Sequence, residues 1–198
     1  MINLGNITEL ALLVHDMQND ALKPGGKYPN AGLAPGTAEF IANSVRLLAA
    51  ARSRTLPVFH SGHFLRPDYK DVAMGGRSAE VGALQAGTWG ADFIDELKPA
   101  PGEWVIRKGG GFSAFTGTAL EKWMHRLGVT TLIIGGCGTA AGIASTVYGT
   151  RERDFKCILV ADACNGAGTE KYDAAILNMS TFVQIASTQE VVKALTVK

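Results

Sequence analysis

The residues of this chain that could catalyse a reaction are an acid, a lysine and a cysteine, each placed after an apolar run. Asp16 follows Leu-Leu-Val-His, Lys108 follows Trp-Val-Ile-Arg, and Cys137 lies in a glycine-rich turn after Leu-Ile-Ile. An aspartate and a lysine in one partly dry crevice hold each other charged, so a proton can move between the carboxylate and a substrate. A thiol beside them would be a nucleophile for amides or esters, and without a thiol the pair can still perform acid catalysis.

The glycine-rich turn joins an apolar strand to a helix within residues 132–146. Such a strand end directs backbone N–H groups and the positive end of a helix dipole at one point, which suits a carbonyl oxygen, an oxyanion or a phosphate. Residues 136–141 also satisfy the Gly-x-Gly-x-x-Ala pattern of dinucleotide-binding proteins. That pattern normally lies in the first strand–helix turn, whereas this turn comes late in the chain. We therefore expect no cofactor.

Six short apolar or β-branched runs alternate with helical patterns along the chain. This alternation predicts an α/β fold with three layers, α/β/α, in which helices cover both faces of a mostly parallel, six-stranded, Rossmann-like sheet. Ligands of such folds bind at the carboxyl ends of the strands, where Asp16, Lys108 and Cys137 would meet. The predicted strands are 9–14, 56–59, 103–107, 131–134, 157–160 and 182–186, and the predicted helices are 37–54, 91–97, 118–127, 139–153, 169–179 and one after Ser187.

Two pairs of residues have the spacing of a capping box, in which the side chains at a helix start satisfy each other's backbone amides. These pairs are Thr118 with Glu121 and Ser187 with Glu190. The segment 62–90, by contrast, has little regular pattern and is typical of a lid or an interface arm. Arg66 or Arg77 within it could bind a substrate carboxylate.

Composition excludes several classes of partner. The chain has 198 residues, 46% of them apolar, and a net charge of +1, which gives no electrostatic reason to expect nucleic acid or a membrane surface as a partner. Residues 1–13 lack the pattern of a signal peptide, and no apolar run reaches about 18 residues. Three cysteines form neither a disulfide framework nor a metal-binding spacing. We therefore expect a cytoplasmic protein that acts on a small molecule.

Four short motifs follow one another along the chain: Asp-Met-Gln-Asn-Asp at 16–20, Gly-Thr-Trp-Gly at 87–90, Lys108 followed by Phe-Ser-Ala-Phe-Thr-Gly-Thr-Ala-Leu at 112–120, and Gly-Cys-Gly-Thr at 136–139. In their order and spacing they resemble the motifs of the isochorismatase-like hydrolase superfamily, which includes isochorismatases, nicotinamidases, N-carbamoylsarcosine amidases and related cysteine hydrolases. The resemblance covers nearly the whole chain. It implies one domain over residues 1–198 and a homo-oligomer, either a dimer or a tetramer.

The resemblance implies a catalytic acid or base at Asp16 and a catalytic lysine at Lys108. The third catalytic residue of the family is a cysteine in the pattern Gly-Val-x-Thr-x-x-Cys-Val-x-x-Thr, and this register puts Gly142 at its position. Cys137 then falls in a turn that helps to form the family's oxyanion hole. The expected site residues are Asp16, Lys108 and the Gly142 position for catalysis, and Cys137, Gly138, Gln18, His63, Trp89 and Phe115 for binding the substrate or its oxyanion.

A metal site is the alternative interpretation of His60 and His63 near Asp68, since nicotinamidases bind a metal. The metal set of that family needs a differently spaced aspartate and more histidines. We therefore expect no metal, and a substrate-facing or structural role for both histidines.

Three hypotheses on function follow. The leading one is a cysteine-independent hydrolase of a small metabolite that uses Asp16 and Lys108, either on a vinyl ether, as true isochorismatases do, or by adding water. The second is a C–N amidohydrolase with a cysteine nucleophile, which is Cys137 or a thiol natural to position 142 that glycine replaces here. The third is a family member without catalysis that binds a metabolite or a partner. The turn has Gly-Thr-Ala where enzymes acting on isochorismate typically have Tyr-Ala-His, so the substrate stays open.

Overall fold

Six strands form one parallel sheet in the computed structural model of the chain, which describes residues 2–166 and 168–196. The strands are β1 (Leu10–His15), β2 (Val58–His63), β3 (Trp104–Lys108), β4 (Thr131–Gly136), β5 (Lys156–Cys164) and β6 (Gln184–Ala186). Their order across the sheet is β3-β2-β1-β4-β5-β6, and every neighbouring pair is parallel. The predicted six-stranded parallel sheet is confirmed.

Helices cover both faces of this sheet. They are α1 (Asn19–Leu22), α2 (Thr37–Ser53), α3 (Arg77–Val81), α4 (Leu120–Arg126), α5 (Ala144–Arg151), α6 (Glu170–Met179) and α7 (Thr188–Thr196). A π-helical turn at Thr139–Ile143 leads into α5. None of the helices described is long and apolar enough to cross a lipid bilayer.

The alternation of side chains along β1 shows how the three layers are held together. Leu10, Leu12 and Val14 belong to one buried cluster with α2 and α7, whereas Ala11 and Leu13 belong to another with α4, α5 and α6. Successive side chains of a strand point to opposite faces, so one apolar run fills both cores. The three-layer α/β/α arrangement predicted from the sequence follows from this alternation.

The predicted helix at 91–97 is wrong. The chain forms two separate short turns there, Trp89–Ala91 and Asp95–Leu97. Between them the backbone is extended and pairs with the segment after β1, since Ile94 donates to the carbonyl oxygen of Met17 and Asn19 donates to that of Asp92. These tertiary hydrogen bonds replace the ones that a helix would have made.

One predicted capping box is confirmed and the other is wrong. Ser187 and Glu190 satisfy each other's backbone amides at the start of α7. At α4, by contrast, the Glu121 carboxylate accepts a hydrogen bond from Arg153 at 2.8 Å instead of reaching back to Thr118. A charged partner from the turn after α5 outcompetes the local amide, because the guanidinium carries a full positive charge.

The sheet order creates a crevice between β1 and β4. The chain proceeds from β1 towards one edge of the sheet, through β2 and β3, and from β4 towards the other edge, through β5 and β6. Connections therefore leave the carboxyl ends of β1 and β4 in opposite directions, and ligands of open α/β sheets bind at such a point. Asp16 follows β1 and the glycine-rich turn follows β4.

Candidate active site

Asp16 takes a backbone conformation that few residues other than glycine adopt. Its φ angle is +53°, in the left-handed region, which costs about 1–3 kcal/mol for a residue with a side chain. Two hydrogen bonds hold it there, since its N–H donates to the Ser61 carbonyl oxygen and its own carbonyl oxygen accepts from Gln18, both at 2.9 Å. The structure thus maintains local strain directly where β1 ends.

Four side chains surround the Asp16 carboxylate. Oδ2 lies 2.7 Å from Nζ of Lys108, 3.2 Å from Nε2 of His63 and 3.4 Å from Nδ1 of His15. Oδ1 accepts a hydrogen bond of 3.1 Å from the Ser61 hydroxyl. The carboxylate is 13% exposed, so it keeps one open side towards solvent while its partners fix its orientation.

These neighbours keep the carboxylate ionised. Burial alone would raise the pKa of Asp16, but the positive charges of a protonated His15 and of Lys108 together hold that pKa well below its usual range. Burial also lowers the pKa of His15 to about 4. At neutral pH the imidazole of His15 is therefore uncharged, and Lys108 is the cation that stabilises the carboxylate.

Lys108 reaches Asp16 from β3 and is itself buried, with 1% of its side chain exposed. Its ammonium donates to Asp16 and to the carbonyl oxygen of Phe112, at 2.8 Å. The side chain does not line the cavity described below. The structure thus brings the predicted pair together. Lys108 contacts the Asp16 carboxylate, and the carboxylate in turn faces the cavity.

Gln18 holds the end of β2 in place. Its amide nitrogen donates to the carbonyl oxygens of His63 and Ala91, both at 2.7 Å, and its amide oxygen accepts from the His63 N–H at 2.8 Å. Both amide hydrogens are therefore used within the protein. Gln18 thus supports His63, whose ring lies between Asp16 and the Gly109 carbonyl oxygen. It also lines the cavity, and its contact with substrate stays a prediction.

The backbone amides of the glycine-rich turn are largely used within the protein. Cys137 N–H donates to the carbonyl oxygen of His15 at 2.8 Å, and Gly138 N–H donates to the side chain of Asn165 at 2.7 Å. These two N–H groups are therefore occupied within the protein, and a role for Cys137 and Gly138 in binding the substrate or its oxyanion stays a prediction. The amide of Gly142 also lies in the cavity wall, and within the described residues it donates to no acceptor outside its own helical segment.

Gly136 must be glycine for the turn to pass over β1. Its φ angle is +145°, and a Cβ atom at this position would overlap the carbonyl oxygen of His15. Only a residue without a side chain allows such a close approach of two strand ends. The turn is thereby fixed against the residue that precedes Asp16.

The thiol of Cys137 is poorly suited to be a nucleophile. It is half-buried and packs against the cluster on the α2 face of the sheet. Burial and, to a lesser extent, the charge of Asp16 raise the pKa of Cys137 to about 12. Burial likewise raises the pKa of Cys157 to about 12 and that of Cys164 still further. All three therefore stay in the unreactive thiol form at neutral pH.

A cavity of about 940 Å³ opens at the carboxyl ends of the strands, and it contains the open side of Asp16. Phe112, which is 61% exposed, contributes an apolar surface. Arg77 lies in the wall, whereas Arg66 is bound to Asp68 at 2.9 Å and lies outside it. Among the predicted site residues, the wall contains Asp16, Gln18, His63, Cys137, Gly138 and Gly142.

Two predicted site residues lie elsewhere. Trp89 is outside the cavity and 53% exposed, and its carbonyl oxygen accepts a hydrogen bond from the side chain of Asn19. Phe115 is buried in the core, with its ring parallel to that of Phe155 and the guanidinium of Arg153 above it. Both residues belong to motifs that resemble those of the family, but in the structure their contacts stabilise the fold and do not line the cavity.

The histidines that suggested a metal site are separated by their partners. His60 Nε2 lies 2.8 Å from Glu103, whereas Asp68 pairs with Arg66. Among residues 2–166 and 168–196, no three His, Cys, Asp or Glu side chains are grouped so that they could hold a metal ion.

Sequence reasoning interpreted His15 only as an oriented neighbour of Asp16 and gave no role to Ser61, yet both contact the Asp16 carboxylate. The position of His15 could have been predicted from the alternation of side chains along β1. Its side chain points to the same face of the sheet as those of Ala11 and Leu13, and α5 covers that face. Ser61 has no comparable signal, since a serine within a buried strand is more often a structural residue.

Comparison with known proteins shows the family to which the chain belongs. A family model described as the isochorismatase domain matches residues 10–190. The ureidoacrylate amidohydrolase RutB of Methylobacterium radiotolerans is 32% identical to the chain over 189 residues, which are 86% of this chain and 73% of that protein.

Solved structures agree with the fold. An isochorismatase family protein from Desulfovibrio vulgaris subsp. vulgaris str. Hildenborough superposes with a TM-score of 0.83 at 29% identity, covering 96% of this chain and 99% of that one. A cysteine hydrolase from Pseudomonas syringae pv. phaseolicola 1448A also reaches 0.83, covering 96% of this chain and 93% of that one. At 22% identity, that second likeness concerns the fold alone.

Proposed function

The chain belongs to the isochorismatase family of hydrolases, and from this premise we propose that it adds water to the carbonyl group of a small ureido, amide or ester substrate without a thiol intermediate. The observation that carries the proposal is the Asp16 carboxylate, which Lys108 holds ionised at the wall of the cavity. An ionised carboxylate with one open side is suited to accept a proton from water.

The reaction proceeds in two steps. In the first, the oxygen of a water molecule attacks the substrate carbonyl carbon while Asp16 takes a proton from that water, and a tetrahedral oxyanion forms. We assign the stabilisation of this oxyanion to the backbone N–H of Gly142, a residue of the turn that lines the cavity. In the second, the bond from carbon to the leaving nitrogen or oxygen breaks, and Asp16 returns the proton to the leaving atom.

Lys108 and His63 act around this proton transfer. The Lys108 ammonium lowers the pKa of Asp16 and fixes its Oδ2 atom at 2.7 Å, so the carboxylate starts each cycle as a base. His63 contacts the same oxygen at 3.2 Å and lies in the cavity wall, where it can orient the water or the substrate. Both roles depend on the sheet order, in which β2 lies beside β1 and β3 lies next to β2.

The two alternative reactions have less support. A vinyl-ether substrate would need Asp16 to donate a proton to carbon, whereas its neighbours favour the ionised form. A thiol nucleophile at Cys137 would need a thiolate, which a pKa of about 12 opposes. The names of the relatives, ureidoacrylate amidohydrolases, make a ureido group the first substrate class to test. Assembly into dimers or tetramers stays a prediction from the family.

Hydrolysis of ureidoacrylate tests the proposal, followed as substrate loss by chromatography. We expect Asp16→Asn to lower kcat by about 10²–10⁴-fold, because the general base is lost while the left-handed backbone still suits asparagine. Cys137→Ala should lose less than about tenfold, and Cys157→Ala, at a buried thiol outside the cavity, is the matched control. A loss for Cys137→Ala as large as that for Asp16→Asn would overturn the proposal in favour of the thiol nucleophile.

A further inference from the structure

The imidazole of His15 occupies the space into which a side chain at position 142 would project. A Cβ atom on Gly142 would lie 2.6 Å from Cε1 of His15, and 3.4 and 3.5 Å from the two ring nitrogens. Carbon atoms that are not bonded do not approach so closely, so any side chain at position 142 requires the ring to move. The ring is fully buried among these neighbours.

A hydrogen bond on one side and a polar contact on the other hold this ring in place. Nδ1 lies 3.1 Å from the carbonyl oxygen of Cys137, and a carbonyl oxygen only accepts, so Nδ1 carries the hydrogen. Nε2 lies 3.3 Å from the hydroxyl oxygen of Thr146, which is itself 2.8 Å from the Gly142 carbonyl oxygen. His15 is thus tied to the turn before Gly142 and to the helix after it.

The space that the ring fills is beside the proposed general base. The Cβ position of residue 142 is 3.5 Å from Nδ1 of His15, and that nitrogen is 3.4 Å from Oδ2 of Asp16. Position 142 and the Asp16 carboxylate therefore contact the same ring nitrogen from two directions, and we expect a thiol at this position to reach the carboxylate once the ring is absent. Two neighbouring positions, and not one, decide whether a nucleophile is present here.

We propose that His15 keeps this site free of a thiol nucleophile. Its ring fills the space that a side chain at position 142 would need, so the ring of His15 and the glycine at position 142 form a matched unit in which each requires the other. On this account Gly142→Cys alone does not give a working nucleophile, and removal of the ring together with that substitution does. The inference rests on the thiol-independent hydrolysis proposed above, but its first test below uses no substrate.

Thermal unfolding of four proteins tests the matched unit. An alanine in place of glycine within a helix ordinarily stabilises it. We expect the opposite for Gly142→Ala, a fall in Tm of roughly 5 °C, because the added methyl group meets the His15 ring. In the His15→Ala background the same substitution should raise Tm, since the ring is gone. The sign of the change therefore reverses between the two backgrounds.

Gly111→Ala is the matched control, because a Cβ atom there would meet nothing closer than 3.9 Å. Its effect on Tm should be the same with and without the His15 ring. The proposal is overturned when Gly142→Ala leaves Tm unchanged or raises it in the native background, or when its effect is equal in both backgrounds.

A chemical readout separates a positioning role from simple packing. The probe is p-nitrophenyl acetate, whose acetyl group a thiol can take: the S–C bond forms, the bond to p-nitrophenolate breaks, and the thiol proton passes to Asp16. Intact-mass measurement and peptide mapping then locate the acetyl group. We expect acetylation at residue 142 in the double variant His15→Ala with Gly142→Cys, at a rate at least tenfold above that of Gly142→Cys alone.

Each outcome of this experiment decides the point. Equal acetylation of residue 142 in the single and the double variant would show that the ring does not exclude a nucleophile. A double variant that regains its Tm but takes up no acetyl group there would contradict the claim as well. If the native protein failed to hydrolyse any substrate, the proposed function would fall, whereas the reversal in Tm would still stand or fall by itself.

Discussion

Nζ of Lys108 lies 2.7 Å from Oδ2 of Asp16, although 92 residues separate them in the chain. The lysine reaches from the end of β3 across the end of β2 to the residue that follows β1. This contact keeps the carboxylate ionised in a site where burial alone would favour the protonated acid. The chemistry proposed for the cavity depends on it.

Lys108→Met should therefore change the pH dependence of hydrolysis. Without the ammonium, burial raises the pKa of Asp16, so the acid limb of the kcat/KM profile moves to higher pH. The free energy of unfolding should also fall, by about 3 kcal/mol, because a buried carboxylate loses its partner.

The control for Lys108→Met is Lys23→Met, which removes a lysine paired with Glu96 at the surface. It should cost less than about 1 kcal/mol and leave the acid limb where it is. An unchanged acid limb in Lys108→Met would contradict the role given to this lysine.

Ser61→Ala tests the second support of the carboxylate. The hydroxyl donates to Oδ1 of Asp16 at 3.1 Å, and its loss should lower kcat/KM by roughly tenfold and the free energy of unfolding by about 1 kcal/mol. Ser53→Ala removes a hydroxyl that donates to a helix carbonyl oxygen at 2.8 Å. Because Ser53 is exposed at the end of α2, this variant should cost less stability and no activity, and equal kinetic effects of the two variants would count against the assignment.

Stability should fall as the pH is lowered from about 6.5 to about 4. In this range the unfolded chain protonates its histidines near the ordinary pKa, whereas burial lowers the pKa of folded His15 to about 4. The folded state thus binds fewer protons than the unfolded state, and acid favours unfolding. The contribution of His15 amounts to at most about 3 kcal/mol.

Urea unfolding at pH 7, 5.5 and 4.5 (about these values) measures this dependence. His15→Asn, which keeps a donor for the Cys137 carbonyl oxygen, should flatten the slope. A slope unaffected by His15→Asn would mean that His15 does not titrate as its burial implies.

A second cluster of paired charges lies outside the cavity, and a substitution in it should lower stability without lowering activity. The Glu103 carboxylate accepts hydrogen bonds from Arg52 and from His60, and it is only 11% exposed. Glu103→Gln should lower the free energy of unfolding by about 2 kcal/mol, because an amide group then faces two donors. Glu121→Gln, at a half-exposed pair, should cost less than about 1 kcal/mol.

Denaturant unfolding compares these two glutamates directly, with kcat/KM as the second readout. Both variants should retain native activity. A cost for Glu121→Gln equal to that for Glu103→Gln would contradict the distinction between a buried and an exposed partner.

The fold and the acid–lysine pair were predictable because they depend on local pattern. Alternation of apolar runs and helices predicts the parallel sheet, and Asp16 and Lys108 each follow a strand, so the fold brings them to one edge. The confirmed capping box of Ser187 and Glu190 is local in the same way.

What the sequence did not predict depends on contacts between distant segments. The helix expected at 91–97 gave way to pairing with the segment after β1, and Gln18 uses its amide on the end of β2. Phe115 went to the core because Phe155 and Arg153 lie beside it. His15 excludes a side chain at Gly142 although the two residues are 127 positions apart in the chain. Their contact depends on how the end of β1 packs against the turn before α5, and no local sequence pattern indicates it.

A chain without any cysteine tests the central claim most directly. The protein has three cysteines, Cys137, Cys157 and Cys164, and all can be replaced by alanine together. The account predicts that this variant, once shown to fold by its circular dichroism, hydrolyses ureidoacrylate with a kcat/KM within about tenfold of the native value, and that adding Asp16→Asn abolishes the activity. A folded but inactive cysteine-free protein, alongside an active native protein, would contradict it.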